Sequence, residues 1–135
     1  MGAATKPAIL VVDDEPGITA TLALILEESG YEVVTAASRR SALRVVESFA
    51  FDAALIDVHL PDSDGVTLAR EICKIRPHCR ILLLTGSMDV SEFQPARTAA
   101  SKFDVLGKPV PPEELLKRLA EMLQRGKKTG TSESF

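Results

Sequence analysis

Acidic, hydroxyl and basic residues follow short apolar segments at several places along the chain. One apolar segment runs into Asp13 and Asp14, a later one into Asp57, the next into Thr85, and the last into Lys108. Carboxylates held close together repel one another unless a cation neutralises them. Mg²⁺ typically takes one or two carboxylates, retains water and accepts a phosphate oxygen, so Asp13, Asp14 and Asp57 are predicted to share one Mg²⁺ ion. The spaced oxygen donors of a dedicated calcium loop do not occur in the sequence.

These residues together suit phosphoryl transfer. A carboxylate can attack phosphorus to form an acyl phosphate once a metal neutralises the incoming charge, and Asp57 is predicted to be that nucleophile. The Thr85 hydroxyl and the Lys108 ammonium would then bind the phosphoryl oxygens. Taken singly, each residue could be a helix cap, a strand residue or a solvated charge. Jointly they favour function, because independent caps and surface charges need not fall at the ends of the correct strands.

The segments that must position these residues alternate between strand and helix. Aliphatic runs at 9–12, 53–56, 81–84 and 105–106 predict buried parallel strands, and a mixed run at 32–36 predicts an edge strand. Between them, apolar residues recur at helical spacing. The first helix is predicted to begin at Pro16 and stop at Gly30, and the others are marked by Ala42, Leu43, Val46 and Phe49, by Leu68, Ala69, Ile72 and Cys73, and by Leu115, Leu116, Leu119, Met122 and Leu123.

This alternation predicts an α/β fold with a doubly wound, five-stranded parallel sheet of flavodoxin-like strand order 2-1-3-4-5. In such a sheet, ligands bind outside the carboxyl ends of the strands, where the residues named above would meet. The predicted organisation is an N-terminal lead at 1–7, one domain at 8–125, and a flexible polar tail or linker stub at 126–135.

Composition limits the class of protein. The 135 residues carry 16 basic and 19 acidic side chains, a net charge of −3, so direct binding of nucleic acid is disfavoured. No apolar run approaches the ~20 residues of a membrane span, and the first residues lack a signal peptide, which predicts a cytoplasmic protein without membrane contact. Cys73 and Cys79 are too few for a disulfide framework, and packing is their expected role.

Four motifs resemble the receiver domains of response regulators in two-component signalling, over residues 8 to 125. They are Val11-Val12-Asp13-Asp14-Glu15, the run from Asp57 to Gly65, Leu84-Thr85-Gly86, and Lys108-Pro109. The resemblance implies that Asp57 accepts a phosphoryl group from a sensor histidine kinase or phosphotransfer protein, with Mg²⁺ as cofactor. It also implies a cis peptide before Pro109, the backbone carbonyl of His59 as a third protein ligand of the metal, and a downstream protein partner. The chain would catalyse its own phosphorylation and slow dephosphorylation rather than act as a turnover enzyme, and a homodimer is compatible with this class.

The chain departs from this family at two positions. Receivers usually carry Tyr or Phe three residues before the lysine, where this chain has Val105, so the usual aromatic coupling to Thr85 is expected to be absent. Pro95 predicts a short fourth helix that begins nearby. The response to phosphorylation is therefore expected in the loop from Thr85 to Gln94. Phe93 and Phe103 are candidate contacts for a partner there, with ordinary core packing the stronger alternative.

His59 and Ser87 flank the predicted phosphoryl site and could tune hydrolysis, although His59 is equally compatible with a solvated loop residue. A haloacid-dehalogenase-like phosphatase is disfavoured, because its second Asp would stand where this chain has His59. A flavodoxin-like cofactor carrier is disfavoured, because Asp13, Asp14 and Glu15 would repel phosphate. A phosphorylation-inactive receiver used for docking or dimerisation is left as the alternative.

Overall fold

The structure is a computed structural model that describes residues 6–86 and 103–133. Nine helices and strands lie within these ranges. They are β1 (Ala8–Val12), α1 (Pro16–Glu28), β2 (Glu32–Ala36), α2 (Arg39–Ser48), β3 (Ala53–Asp57), α3 (Gly65–Ile75), β4 (Arg80–Thr85), β5 (Phe103–Gly107) and α4 (Pro112–Glu133). Predictions that concern Ser87, Phe93, Gln94 and Pro95, including a short helix beginning near Pro95, lie outside the described residues.

The five strands form one parallel sheet in the order β2-β1-β3-β4-β5, which confirms the predicted fold class and strand order. β2 pairs only with β1 among the described strands, so it is the edge strand that its mixed composition predicted. The strand order reverses between β1 and β3, because their connections leave in opposite directions. Open α/β sheets form their ligand crevice at this point.

Helices cover both faces of the sheet and form two cores. Residues that alternate along each strand, such as Leu55 and Ile56 of β3, point to opposite faces. α2 and α3 pack on one face, with Ile56, Val46 and Ile72 fully buried. α1 and α4 pack on the other, where Leu55 and Leu119 are fully buried. Coverage on both faces explains why the central strands read as continuous apolar runs.

The helix boundaries follow local signals. α1 begins at Pro16, where the missing amide hydrogen of proline costs nothing because the first amides of a helix have no partner within it. The helix ends just before Gly30, whose φ of 97° is in the region that glycine favours. The side chain of Ser38 caps α2 by accepting from the Ser41 amide. Asp64 caps α3 in the same way by accepting from the Thr67 amide. None of the described helices is both long enough and apolar enough to span a membrane.

The last helix and α2 both end at positions that the sequence did not predict. α4 continues to Glu133, so helical backbone covers residues 126–133, whereas a flexible tail or linker stub at 126–135 stays a prediction. A glycine such as Gly126 costs only about 1 kcal/mol in a helix interior, which need not end the helix. Phe49 was placed on the apolar face of α2, but the helix ends at Ser48, and the extended backbone of Phe49 leaves its side chain 60% exposed.

Candidate functional site

Pairing between β1 and β3 brings two of the predicted carboxylates together. Val12 is in register with Ile56, so the next residues, Asp13 and Asp57, leave the sheet side by side at its carboxyl edge. Asp14 follows in the turn before α1. Each of the three aspartates offers an oxygen that lies within 4.8 Å of the other two. The structure therefore assembles the predicted acidic cluster.

The cluster fits a partly hydrated, oxygen-preferring cation. Asp13 and Asp57 are buried at 1% and 5% exposure, whereas Asp14 is open to solvent. Ligand oxygens around Mg²⁺ at ~2.1 Å stand no more than about 4.2 Å apart, so the observed spacing requires little contraction. The open side next to Asp14 leaves room for the water molecules that Mg²⁺ usually keeps.

Lys108 supplies the positive charge in this cluster. Its Nζ atom lies 2.7 Å from Asp13 Oδ2, 3.4 Å from Asp57 Oδ2 and 3.9 Å from Glu15 Oε1. Its backbone amide donates to the Thr85 carbonyl at 2.7 Å, which fixes the turn after β5. Burial by itself would lower the pKa of Lys108, but the hydrogen bond to Asp13 and the charges of Asp57 and Asp13 raise it above its usual value.

The pKa of Asp57 is raised above its ordinary value. Burial is the largest cause, because the charged carboxylate loses hydration. The His59 amide, which donates to Asp57 Oδ1 at 3.3 Å, and the Lys108 ammonium both act against this rise, while the Asp13 charge adds to it. A bound cation would also favour the charged form of the Asp57 carboxylate, because it would neutralise the buried negative charge.

The remaining predicted residues occupy the expected positions at this edge. Thr85 is the last residue of β4 and fully buried, one residue beyond the Leu84 that pairs with Asp57. The His59 amide lies beside the Asp57 carboxylate, and the His59 side chain is exposed. Metal ligation by the His59 carbonyl stays a prediction. The peptide before Pro109 is cis, as the resemblance implied.

Sequence reasoning missed several contacts around the site. It did not predict that Lys108 pairs most closely with Asp13, nor that Glu15 joins this pair. It also missed Gly65, where a Cβ atom would lie 2.9 Å from the Cα of Val58 and still closer to the carbonyl oxygen of Asp57. A glycine at the first position of a helix packed on its own strand was the available signal for that close approach.

The departure from the family pattern at Val105 is part of the core. Val105 is buried at 6% exposure among the side chains between the sheet and helices α2 and α3. Phe103 is buried in the same cluster at 2% exposure. Phe103 is therefore a core residue, which confirms core packing, the stronger of the two alternatives that the sequence left open.

Comparison with known proteins agrees with this fold. Residues 9–120 match the family described as the response regulator receiver domain. The chain belongs to this family, so it is a receiver domain of the kind found in response regulators of two-component systems.

Three similar proteins illustrate the relationship. The Escherichia coli transcriptional regulatory protein GlrR is 35% identical over 121 residues, which cover 89% of this chain and 27% of GlrR. A CheY-like receiver domain protein from Methanospirillum hungatei JF-1 has a TM-score of 0.86 and 34% identity, covering 93% of this chain and 99% of that one. A Burkholderia pseudomallei response regulator, solved with a phosphorylated aspartic acid, a calcium ion and citrate, has a TM-score of 0.76 and 28% identity, covering 95% and 73%.

The chain spans about half or less of the length of the curated relatives it matches. The additional parts of those proteins have no counterpart in the matched residues.

Proposed function

We propose that this receiver domain is a phosphorylation-dependent switch in which Asp57 accepts a phosphoryl group from a sensor histidine kinase or phosphotransfer protein. The observation that carries the proposal is the position of the Asp57 carboxylate, buried beside two further aspartates and 3.4 Å from the Lys108 ammonium at the carboxyl edge of the sheet. The phosphorylated aspartic acid of the B. pseudomallei relative supports the same chemistry.

In the proposed reaction, an Asp57 carboxylate oxygen attacks the phosphorus atom of the donor. A new oxygen–phosphorus bond forms while the bond between phosphorus and the donor's leaving group breaks, and the leaving group takes the electron pair. The His59 amide already donates to Asp57 Oδ1 and orients the carboxylate. Burial reduces the hydration that would otherwise weaken the carboxylate as a nucleophile.

Asp13, Asp14 and Asp57, with the His59 backbone carbonyl, are the groups proposed to hold Mg²⁺. The ion would neutralise charge between the carboxylates and the incoming phosphoryl oxygens. The Lys108 ammonium would bind one phosphoryl oxygen, and the Thr85 hydroxyl would bind another. These two contacts would stabilise the acyl phosphate and couple it to the conformation of the surrounding loops.

The product is a signal rather than a released metabolite. The phosphoryl group carries about −1.5 to −2 charge where the free carboxylate carried a single negative charge, and it places strong acceptor oxygens at the end of β3. This change would shift the balance between two conformations of the surrounding loops. A downstream protein partner that binds one conformation better reads this balance. The curated relatives are longer and are named transcriptional regulatory proteins, which supports coupling of the domain to an effector. Family membership supports a cytoplasmic location.

Incubation with acetyl phosphate and Mg²⁺, followed by intact-protein mass measurement, tests the proposal. The native chain should gain one phosphoryl mass, and Asp57→Asn should gain none, because an amide is a poor nucleophile. Asp52→Asn is a matched control at the opposite end of β3, where the Asp52 carboxylate accepts a structural hydrogen bond from the Ala8 amide.

Equal incorporation by native protein and Asp57→Asn would place the acceptor elsewhere. No incorporation by a folded native chain, with either acetyl phosphate or a kinase donor, would favour the docking or dimerisation module instead.

A further inference from the structure

The first turn of α2 depends on a carboxylate from another part of the chain. Its first amides have no partner within the helix. The Ser38 side chain accepts from the Ser41 amide, while the Asp62 carboxylate accepts from the Arg39 amide at 2.9 Å and the Arg40 amide at 3.2 Å. A negative charge is also favourable at the positive end of the helix dipole. The hydrogen bond that Asp62 accepts from the Arg39 amide is the largest cause of the lowered pKa of Asp62.

Asp62 belongs to the loop that follows the proposed phosphoacceptor, residues 58–64. The Val58 amide holds the start of this loop at the sheet by donating to the Leu84 carbonyl of β4, and the Gly65 amide joins the end of the loop to its start by donating to the Val58 carbonyl. The amide of His59, two residues after Asp57, contacts the Asp57 carboxylate. Asp62 supplies two hydrogen bonds that connect the tip of the loop to α2.

α2 is itself held firmly against α3, so it can serve as an anchor. The Arg39 guanidinium forms a two-point ion pair with the Glu71 carboxylate, at 2.8 and 2.6 Å. At the other end of α2, the Arg76 guanidinium donates to the Val46 and Glu47 carbonyls at 3.0 and 3.4 Å. Both ends of the helix are therefore tied to α3.

We propose that Asp62 is a positioning residue for the metal and phosphoryl site, because it fastens the loop that carries His59 to the anchored first turn of α2. This inference rests on the proposed function. Mg²⁺ requires near-octahedral geometry at ~2.0–2.1 Å, so a backbone carbonyl in a free loop must be ordered before it can serve as a ligand. Asp62 orders the loop before the ion arrives and touches neither ion nor phosphoryl group.

Asp62→Asn tests the inference without a change of side-chain size. The amide offers one acceptor oxygen, and its NH₂ group would face the amide donors of α2. Mg²⁺ affinity, measured by amide NMR titration, should fall roughly tenfold, the low end for loss of a group that orients a metal ligand. The His59 amide resonance should shift in the metal-free protein. Phosphorylation by acetyl phosphate should slow at low Mg²⁺ and recover at saturating Mg²⁺.

Glu71→Gln is the matched control, because it is also a carboxylate-to-amide change that weakens a contact at the same end of α2 but leaves the Asp62 bonds intact. Its Mg²⁺ affinity and His59 resonance should equal those of the native chain. Asp62→Ala, which removes both acceptors, should reproduce the effect of Asp62→Asn.

Native Mg²⁺ affinity in both Asp62 variants would overturn the inference. An equal loss of affinity in Glu71→Gln would also overturn it, because general support from α2 would then explain the effect. If the native chain binds Mg²⁺ but takes up no phosphoryl group, the proposed function fails while the titration still decides the role of Asp62. If it binds no Mg²⁺, both proposals fail.

Discussion

Lys108 and a divalent cation would compete for the same carboxylates. The ammonium is 2.7 Å from Asp13 Oδ2 and 3.4 Å from Asp57 Oδ2, and its side chain is only 15% exposed. In the absence of metal this contact is the main neutralising interaction of the acidic cluster. A metal ion that binds there must weaken the contact between Lys108 and the carboxylates, so this contact lowers the affinity of the site for a cation.

Lys108→Met should therefore bind Mg²⁺ more tightly than the native chain. A hydrogen bond between charged groups contributes about 1.5 kcal/mol or more, which corresponds to roughly a tenfold gain in affinity. Isothermal titration calorimetry would measure the gain. Lys117→Met, at an exposed position on α4, is the control and should leave the affinity unchanged. A weaker Mg²⁺ affinity in Lys108→Met would show that the lysine organises the carboxylates rather than competing with the ion.

Asp57 gives the fold a pH dependence that can be measured without metal. Burial raises the folded-state pKa of Asp57 above its unfolded-state value, so the folded protein binds more protons. The free energy of unfolding attributable to this group is therefore highest below the ordinary aspartate pKa of about 3.9 and falls as pH rises through the folded-state pKa.

It follows that Asp57→Asn should unfold at a higher temperature than the native chain at pH 7 in the presence of a chelator. The difference should shrink as the pH is lowered and Asp57 becomes protonated in the native protein. Calorimetry across this pH range would measure it, with Asp52→Asn as the comparison. A lower melting temperature for Asp57→Asn at pH 7 would mean that the contacts of the carboxylate with Lys108 and the His59 amide outweigh its burial.

At the scale of elements, the site depends on how closely α3 approaches β3. Gly65 is the first residue of α3, and its amide donates to the Val58 carbonyl at 2.7 Å. A side chain there would meet the backbone of Asp57 and Val58 rather than a movable side-chain end. The helix would have to move away from the strand that carries Asp57.

Gly65→Ala should consequently lower the free energy of unfolding by about 1–3 kcal/mol, the usual cost of overpacking a close contact. Gly17→Ala in the first turn of α1 is the control, since nothing lies within 4 Å of the position that its Cβ atom would take, and stability should stay equal or rise slightly. Urea denaturation would compare the two. Equal stability of both variants would show that the approach of α3 to β3 tolerates a methyl group.

For the whole molecule, one sheet joins two cores. Leu55 and Ile56 are consecutive residues of β3 and both fully buried, yet Leu55 packs toward α1 and α4 while Ile56 packs toward α2 and α3. Because every strand of the sheet contributes to both cores, loss of packing on one face weakens the support of the other. A single cooperative unfolding transition follows.

Leu55→Ala and Ile56→Ala should each lower the free energy of unfolding by about 2–5 kcal/mol, the cost of removing a large buried side chain. Both variants should keep one transition and a native dependence on urea concentration. Circular dichroism and one-dimensional NMR, followed through the same titration, would check that the two probes coincide. A second transition in either variant would show that the two layers of helices unfold separately.

The sequence by itself determined the fold class, the strand order and the aspartates of the site. Continuous apolar runs predicted β1, β3 and β4 because strands covered on both faces need apolar side chains at every position. The mixed run at Glu32–Ala36 marked the edge strand for the opposite reason. β2 has the predicted bounds, whereas β1 and β3 are one residue longer than predicted, β4 is two longer and β5 three longer. Backbone pairing extends beyond the apolar run, as at Thr85.

Only the tertiary structure decided which groups touch. Lys108 lies 95 positions from Asp13 in the chain, and Asp62 lies more than 20 from the amides of α2 that it accepts from. Such contacts leave no periodic signal, because any exposed acid or base is equally compatible with solvent. The same limit applies to Phe49, whose exposure depends on where α2 ends. Patterns of burial are local in the sequence and predictable, whereas polar pairing between distant segments arises only when the sheet and helices have packed.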